Sequence, residues 1–181
     1  MTRSMTPETM TQETTHALLH TRMAKKADLP RLVEVINAAY SIESFLEGTR
    51  TDMEHLPAYL ETGIILVLED AHGEILGSIY AERREERGYL GMLAVDPAYQ
   101  NRGLAQRLMT AAEDYFRGFG CPAIDIHVLS LRPELLPLYR RFGFVETGTE
   151  AFNYPRTFSG GAQPCHCIVM SKLLAILDPF H

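Results

Sequence analysis

One run of residues carries the clearest chemistry. Leu90-Gly91-Met92-Leu93-Ala94-Val95 is apolar throughout, as in a strand covered on both faces. Asp96-Pro97 ends it, because proline has no amide donor and drives the residue before it toward extended geometry. Beyond Gly103, the residues Leu104, Leu108, Ala111, Ala112 and Tyr115 recur at helical spacing. Gln100-Asn101-Arg102-Gly103 is therefore a turn that opens a helix. The first turn of a helix holds amide hydrogens without carbonyl partners, at the positive end of the dipole. Such a turn binds an anion, a pyrophosphate for instance.

Other reactive side chains point elsewhere. Three cysteines, Cys121, Cys165 and Cys167, fit free thiols in a reducing, cytoplasmic setting. Cys165-His166-Cys167 has the right types for a metal, but in a strand the two thiols share one face and the imidazole takes the other. No second Cys/His pair stands at zinc-site spacing, so a packed strand is the preferred reading and no metal is expected. His127 falls inside a strand and reads as structural.

The elements that must position these residues follow in order. Leu18 to Ala24 is a first strand. Asp28 caps a helix with Pro30 in its first turn, and Leu29, Leu32, Val33, Ile36 and Tyr40 form its apolar face. Ser41 to Arg50 is loop or partial helix, and a second helix spans about Thr51 to Glu61. Gly63 to Glu69 and Glu74 to Glu82 make a hairpin around Asp70-Ala71-His72-Gly73. Arg83 to Gly88 is a charged connection of nearly balanced sign, a solvated turn. The apolar strand then begins near Tyr89, and its helix ends at Gly118 to Gly120. Ala123 to Leu129 is a strand parallel to it, joined by a right-handed crossover. Pro133 opens a helix with Leu135, Leu138 and Phe142 inward, shortened or kinked by Pro137. Phe144 to Thr147 and Pro164 to Leu173 are the last strands, separated by a long loop from Gly148 to Gly161. The whole reads as one domain, 16–175, between flexible tails 1–15 and 176–181.

Gln100-Asn101-Arg102-Gly103-Leu104-Ala105 fits (Gln/Arg)-x-x-Gly-x-(Gly/Ala). With a strand before it and a helix after it, this run resembles the signature of the GCN5-related N-acetyltransferases, the GNAT superfamily. Ser130-Leu131-Arg132-Pro133-Glu134-Leu135 and Tyr139-Arg140-Arg141-Phe142-Gly143-Phe144 are similar to runs in bacterial members. The likeness covers about Leu18 to Leu174. It implies an α/β (α+β) fold, a mixed and mostly antiparallel sheet with helices on both faces. It implies acetyl-coenzyme A as co-substrate, its pyrophosphate held by Gln100, Asn101, Arg102, Gly103, Leu104 and Ala105. It also implies that the two parallel strands splay at their carboxyl ends. The coenzyme's arm would lie there against backbone groups of Leu93, Ala94 and Val95, as an added strand does. Arg102 reads equally as a solvated side chain. Ser130 either bonds the arm or forms a turn.

Acetyl transfer from a thioester to an amine requires that the amine lose a proton, that an oxyanion find donors and that the thiolate gain a proton. By resemblance Tyr139 is the acid, since a phenol with a pKa near ~10 is protonated at neutral pH. The oxyanion donor falls to the N–H of Leu93 or Ala94. Where several family members carry a glutamate this chain has Tyr89, which is no base at neutral pH. Glu82 and Glu43 are the substitutes for a base, acting directly or through water, with Glu82 placed among the catalytic residues; either also suits a cationic substrate or reads as an ordinary surface carboxylate, and a water chain can take the proton without a dedicated base. Tyr40, Glu43 and Tyr89 are expected against the acceptor. Its pocket would be walled by Tyr40 to Arg50, Arg83 to Gly88 and Gly148 to Gly161, with Phe45, Phe152 and Tyr154 as aromatic contacts.

The implied activity is acetyl-CoA-dependent N-acetylation of a primary amine by direct attack in a ternary complex, on a small molecule first and a peptide or protein second. A non-catalytic acyl-CoA-binding or regulatory domain is the rival; Tyr89 favours it and Tyr139 opposes it. A phosphotransferase or dinucleotide enzyme is disfavoured, because neither Gly-x-x-x-x-Gly-Lys-(Ser/Thr) nor Gly-x-Gly-x-x-Gly occurs at the turn. A net charge of −6 over 181 residues argues against a nucleic-acid partner. No apolar run reaches the ~18 residues that span a membrane, and Met1 to Thr15 lacks the apolar core of a secretory signal. A monomer or homodimer is expected.

Overall fold

The computed structural model describes residues 19–153, 158–159 and 164–175. Its elements come in the expected order. They are β1 (His20–Met23), α1 (Leu29–Tyr40), α2 (Leu56–Thr62), β2 (Ile64–Glu69), β3 (Ile75–Arg84), β4 (Arg87–Val95), α3 (Leu104–Gly118), β5 (Ala123–Leu129), α4 (Leu135–Arg141), β6 (Val145–Ala151) and β7 (His166–Leu173). Short 3₁₀ turns at Lys26–Asp28 and Pro97–Tyr99 lead into α1 and the anion turn.

The strands form one sheet in the order β1-β2-β3-β4-β5-β7-β6. Every pairing is antiparallel except β4 with β5. Side chains alternate across each strand, so the sheet buries two separate cores. On one face, Leu108, Met109, Ala112 and Phe116 of α3 pack on Leu90, Ile124, Ile126 and Val128. On the other, Leu32, Val35 and Ile36 of α1 and Leu56 of α2 pack on Ile65, Val67, Tyr89 and Met92. This is the mixed, mostly antiparallel α/β architecture that the motifs imply.

Several boundaries differ, each for a local reason. Asp28 stands at the start of α1 but does not cap it. Its carboxylate takes Arg22 at 2.7 Å and the Lys25 N–H at 2.7 Å, and a guanidinium is the stronger partner. Val35, not Val33, completes the buried face of α1. The second helix starts at Leu56, because the Asp52 carboxylate folds the preceding residues into a turn by accepting from the N–H groups of Glu54 and His55. The charged connection shrinks to Glu85 and Glu86: β3 and β4 pair as far as Arg84 and Arg87, and Arg87 has a partner in Asp125 on β5. β6 continues to Ala151, so Gly148 to Ala151 is strand rather than loop. All seven of its residues are exposed, so apolar alternation could not mark it. The expected tails and Tyr154 lie outside the described residues.

Candidate active site

The site begins where β4 and β5 part. They pair only at Gly88 with Ile124, Tyr89 with Asp125 and Leu90 with Ile126. Beyond Leu90 the β3/β4 register slips. Tyr80 opposes Gly91 and Ser78 opposes Ala94, so Met92 and Leu93 together face Ile79. This is a bulge, which bends its strand. Met92 sits at φ 47°, left-handed geometry that costs a non-glycine residue about 1–2 kcal/mol. Burial of its side chain in the α1-side core holds it there. β5 meanwhile stays with β7 as far as Leu129. The strands diverge, and a cleft of about 800 Å³ opens to solvent between them.

Six side chains from different elements converge on this cleft: Tyr40, Glu43, Arg50, His127, Arg132 and Tyr139. Tyr139 comes from α4, with its ring edge-on to Phe142 and Phe144. Its hydroxyl has no hydrogen-bond partner among the described residues. Burial pushes its pKa above the usual phenol range, and the nearby Tyr40 adds to this. It is therefore a protonated donor at neutral pH. Tyr40, at the end of α1, is also pushed up by burial, and the Arg50 guanidinium lies 5.2 Å over its ring.

Glu43 is buried and accepts from Arg132 Nη1 at 3.0 Å, an ion pair between the loop after α1 and the turn after β5. His127 is the first residue of β5 past its last pairing with β4. Its Nε2 is 3.5 Å from a Glu150 carboxylate oxygen on β6, and its ring meets Tyr89 edge-on. Burial lowers the imidazole pKa; Glu150 opposes, Arg84 reinforces and Asp125 opposes. The ring is therefore neutral at pH 7 and holds a lone pair.

The anion turn lies at the start of α3. Gly103 has φ 76° and Asn101 φ 60°, so the chain reverses through left-handed backbone just before the helix. The first ladder bond runs from the Arg107 N–H to the Gly103 carbonyl at 3.2 Å. The N–H groups from Gly103 to Gln106 thus have no ladder partner. The two long side chains of the turn are engaged elsewhere. Gln100 turns back to donate to the Val95 carbonyl at 3.1 Å, and the Arg102 guanidinium lies 5.4 Å over the Tyr99 ring. Leu104 is buried in the core, and Ala105 is packed against it. What the turn offers a phosphate is backbone, and that fits the group.

Other expected residues fall elsewhere. Ser130 accepts from the His166 N–H at 3.1 Å, and its own N–H bonds the His166 carbonyl, so it ties β5 to β7 and does not line the cleft. Glu82 lines a second basin of about 740 Å³, across a wall shared by Arg50, Tyr89, Gly91 and Met92. Its carboxylate is held by Arg84 Nε at 2.9 Å. Leu93 lines the cleft, whereas Ala94 and Val95 pair with Ser78 and Gly77. Sequence reasoning passed over Arg50 and Arg132 and set His127 aside. Arg132 stood within a quoted run, but nothing in a sequence announces a pair 89 residues apart. Among the described residues no group of three or more His, Cys, Asp or Glu could hold a metal ion.

Comparison with known proteins gives this geometry a context. Residues 29–144 match the model of the Acetyltransferase (GNAT) family. Over 131 residues the chain is 28% identical to the mycothiol acetyltransferase of Propionibacterium freudenreichii subsp. shermanii, covering 68% of this chain and 42% of that protein. Over 112 residues it is 31% identical to glucosamine 6-phosphate N-acetyltransferase 1 of Oryza sativa subsp. japonica, covering 58% of this chain and 66% of that one. The chain thus spans less than two thirds of either relative's length. In fold it is similar to yncA from Salmonella typhimurium, solved with its cofactor acetyl-CoA. That likeness has a TM-score of 0.68 and 20% identity over 87% of this chain and 94% of that one.

Proposed function

The chain belongs to the acetyltransferase (GNAT) family, and from that premise we propose that it transfers an acetyl group from acetyl-CoA to the primary amine of a small molecule. The attack is direct, within a ternary complex. The observation that carries the reading is the parting of β4 and β5 with Tyr139 lodged beside the gap. The relatives' names, which specify a glucosamine phosphate and mycothiol, favour a small acceptor over a protein.

The bound thioester supplies the acyl carbon and the leaving thiolate. The chain's residues do the rest. Backbone N–H groups from Gly103 to Gln106 hold the diphosphate. Gln100, Asn101 and Arg102 shape that turn. Leu93, bulged and facing the cleft, presents its N–H to the developing oxyanion. The ammonium of the acceptor gives a proton to His127, and Glu150, which is exposed, passes it to water. The amine nitrogen bonds the acyl carbon, the carbon–sulfur bond breaks as the Tyr139 hydroxyl protonates the sulfur, and the proton that the acylated nitrogen then sheds returns to the Tyr139 oxygen. Tyr40, Glu43 and Tyr89 wall the acceptor. Glu82, across the wall, orients Arg84 instead of serving as the base, and Ser130 holds β7 instead of the coenzyme.

Thiol release from acetyl-CoA across a panel of amines, with mass-spectrometric detection of the product, tests this. Turnover of at least one amine is expected. Tight coenzyme binding with no acetylated product from any amine would make the chain an acyl-CoA-binding module.

A further inference from the structure

The second basin adjoins the cleft and has its own chemistry. Residues 80, 82 and 84 fall on one face of β3, where side chains alternate, so Tyr80, Glu82 and Arg84 enter it together. Opposite them on β4 stand Gly91, Tyr89 and Arg87. Gly91 lines both spaces, and a Cβ there would meet the Tyr89 ring at 3.3 Å. Of the four residues that line both spaces, Gly91 alone has no side chain. Tyr59 and Tyr80 meet edge-on, and the Tyr80 hydroxyl is 2.8 Å from that of Thr62, which gives an aromatic wall with a polar rim.

The basin itself is lined by two arginines, Arg50 and Arg84, and one carboxylate, Glu82, in a protein of net charge −6. Glu43 of the cleft and Glu82 of the basin both already face an arginine, Glu43 with Arg132, which Glu134 also holds, and Glu82 with Arg84. A polycationic acceptor would find neither unengaged. The coenzyme's phosphates do not account for the arginines, because none of the residues from Gln100 to Ala105 lines either space. Arg84 is also built into place. Its guanidinium lies 3.6 Å over the Tyr89 ring, and Glu82 takes Nε and Nη2, which leaves Nη1 without a partner among the described residues.

We propose that the basin formed by Tyr59, Thr62, Tyr80, Arg84 and Tyr89 binds an anionic group of the acceptor, so that the substrate is an amine that also carries a carboxylate or phosphate. Arg84 Nη1 and Arg50 receive the anion, the tyrosines bound the connecting carbons, and the amine reaches the cleft over Gly91. The proposal rests on the acetyl-transfer reading above.

Matched pairs of amines test it: amino acids against their amides, and amino-sugar phosphates against the unphosphorylated amino sugars. The anionic member of at least one pair is expected to have the higher kcat/KM, by about ten- to a hundredfold, the range of a charged hydrogen bond. Which pair discriminates separates carboxylate from phosphate. Arg84→Gln should shrink that ratio to near unity, and Arg84→Lys should restore part of it, since a point charge keeps attraction but loses the fork. Thermal unfolding of both variants checks that folding is intact. Equal or better use of the uncharged members, or a ratio unmoved by Arg84→Gln in a folded protein, overturns the subsite and leaves acetyl transfer standing. Absence of turnover with every member overturns acetyl transfer, and the subsite with it.

Discussion

At its start the β4/β5 seam is clipped shut. Arg87 Nε and Nη2 each lie 2.5 Å from a carboxylate oxygen of Asp125, and Ser171 on β7 donates to the same carboxylate. Gly88 lets the Phe116 ring lie flat on β4, so closely that a Cβ would sit 2.7 Å from it. At its far end the seam is open. There the ion pair of Glu43 with Arg132 joins two loops instead of two strands. Among the described residues the Tyr139 hydroxyl has no partner, and His127 stands 3.5 Å from its carboxylate. Polar groups at the closed end satisfy each other and act on stability. At the open end the Tyr139 hydroxyl is held by packing of its ring, and among the described residues its bonding capacity is left for something else.

The comparison fails if substitutions at the open end act mainly on folding. Tyr139→Phe keeps the ring packed on Phe142 and Phe144 and removes only the hydroxyl. We expect kcat to fall about a thousandfold, the range of a lost general acid, with the unfolding midpoint unchanged. A midpoint several degrees lower would make the residue a core aromatic. His127→Gln is expected to lower kcat/KM about a hundredfold at neutral pH. The wild-type profile should show an acid limb below the usual imidazole range, because burial lowers this pKa. Activity is present above that value, where the ring is neutral, and lost as pH falls through it. In the variant this limb should vanish. An unchanged limb would assign the proton to another group.

The open end was the less legible in the sequence. The anion turn announced itself because Pro97, Gly103 and the spacing from Leu104 to Tyr115 are local signals. The element order was legible for the same reason. The bulge at Met92 was not, since a methionine in left-handed backbone leaves no compositional trace. Tyr40 and Glu43 were expected together against the acceptor, but that His127 and Arg132 join them was not legible, since it depends on the divergence of two strands rather than on spacing. His127 looked structural because its neighbours Ile126 and Val128 are core residues, yet alternation sends it to the opposite face.

Asp125→Asn probes the closed end. Burial pushes this carboxyl up, but the bonds from Arg87 and Ser171 outweigh it, and the net shift is downward. Its stabilising effect is therefore present above the unfolded carboxyl value, near ~3.9, and lost as pH falls through the lower folded value. Because the pair is partly solvated, the variant should lose only about 1 kcal/mol at neutral pH, or roughly 2–4 °C in Tm. The difference should shrink in acid, and the acetyl-transfer rate should hardly change. A large loss of rate would mean that the clip transmits to the cleft.

The smallest expected effect separates two roles for one residue. Glu82 stands across the Tyr89 wall with its carboxylate on Arg84, so Glu82→Gln removes a charge that no reacting atom meets. As an orienting group it should alter kcat by less than about fivefold, the span of an exposed ion pair. The KM of an anionic acceptor should fall, because Arg84 then has no competing carboxylate. As the general base it would cost about a hundredfold or more in kcat and would shift the acid limb. Only the second outcome would carry chemistry across the wall and erase the contrast between a basin that recognises and a cleft that reacts.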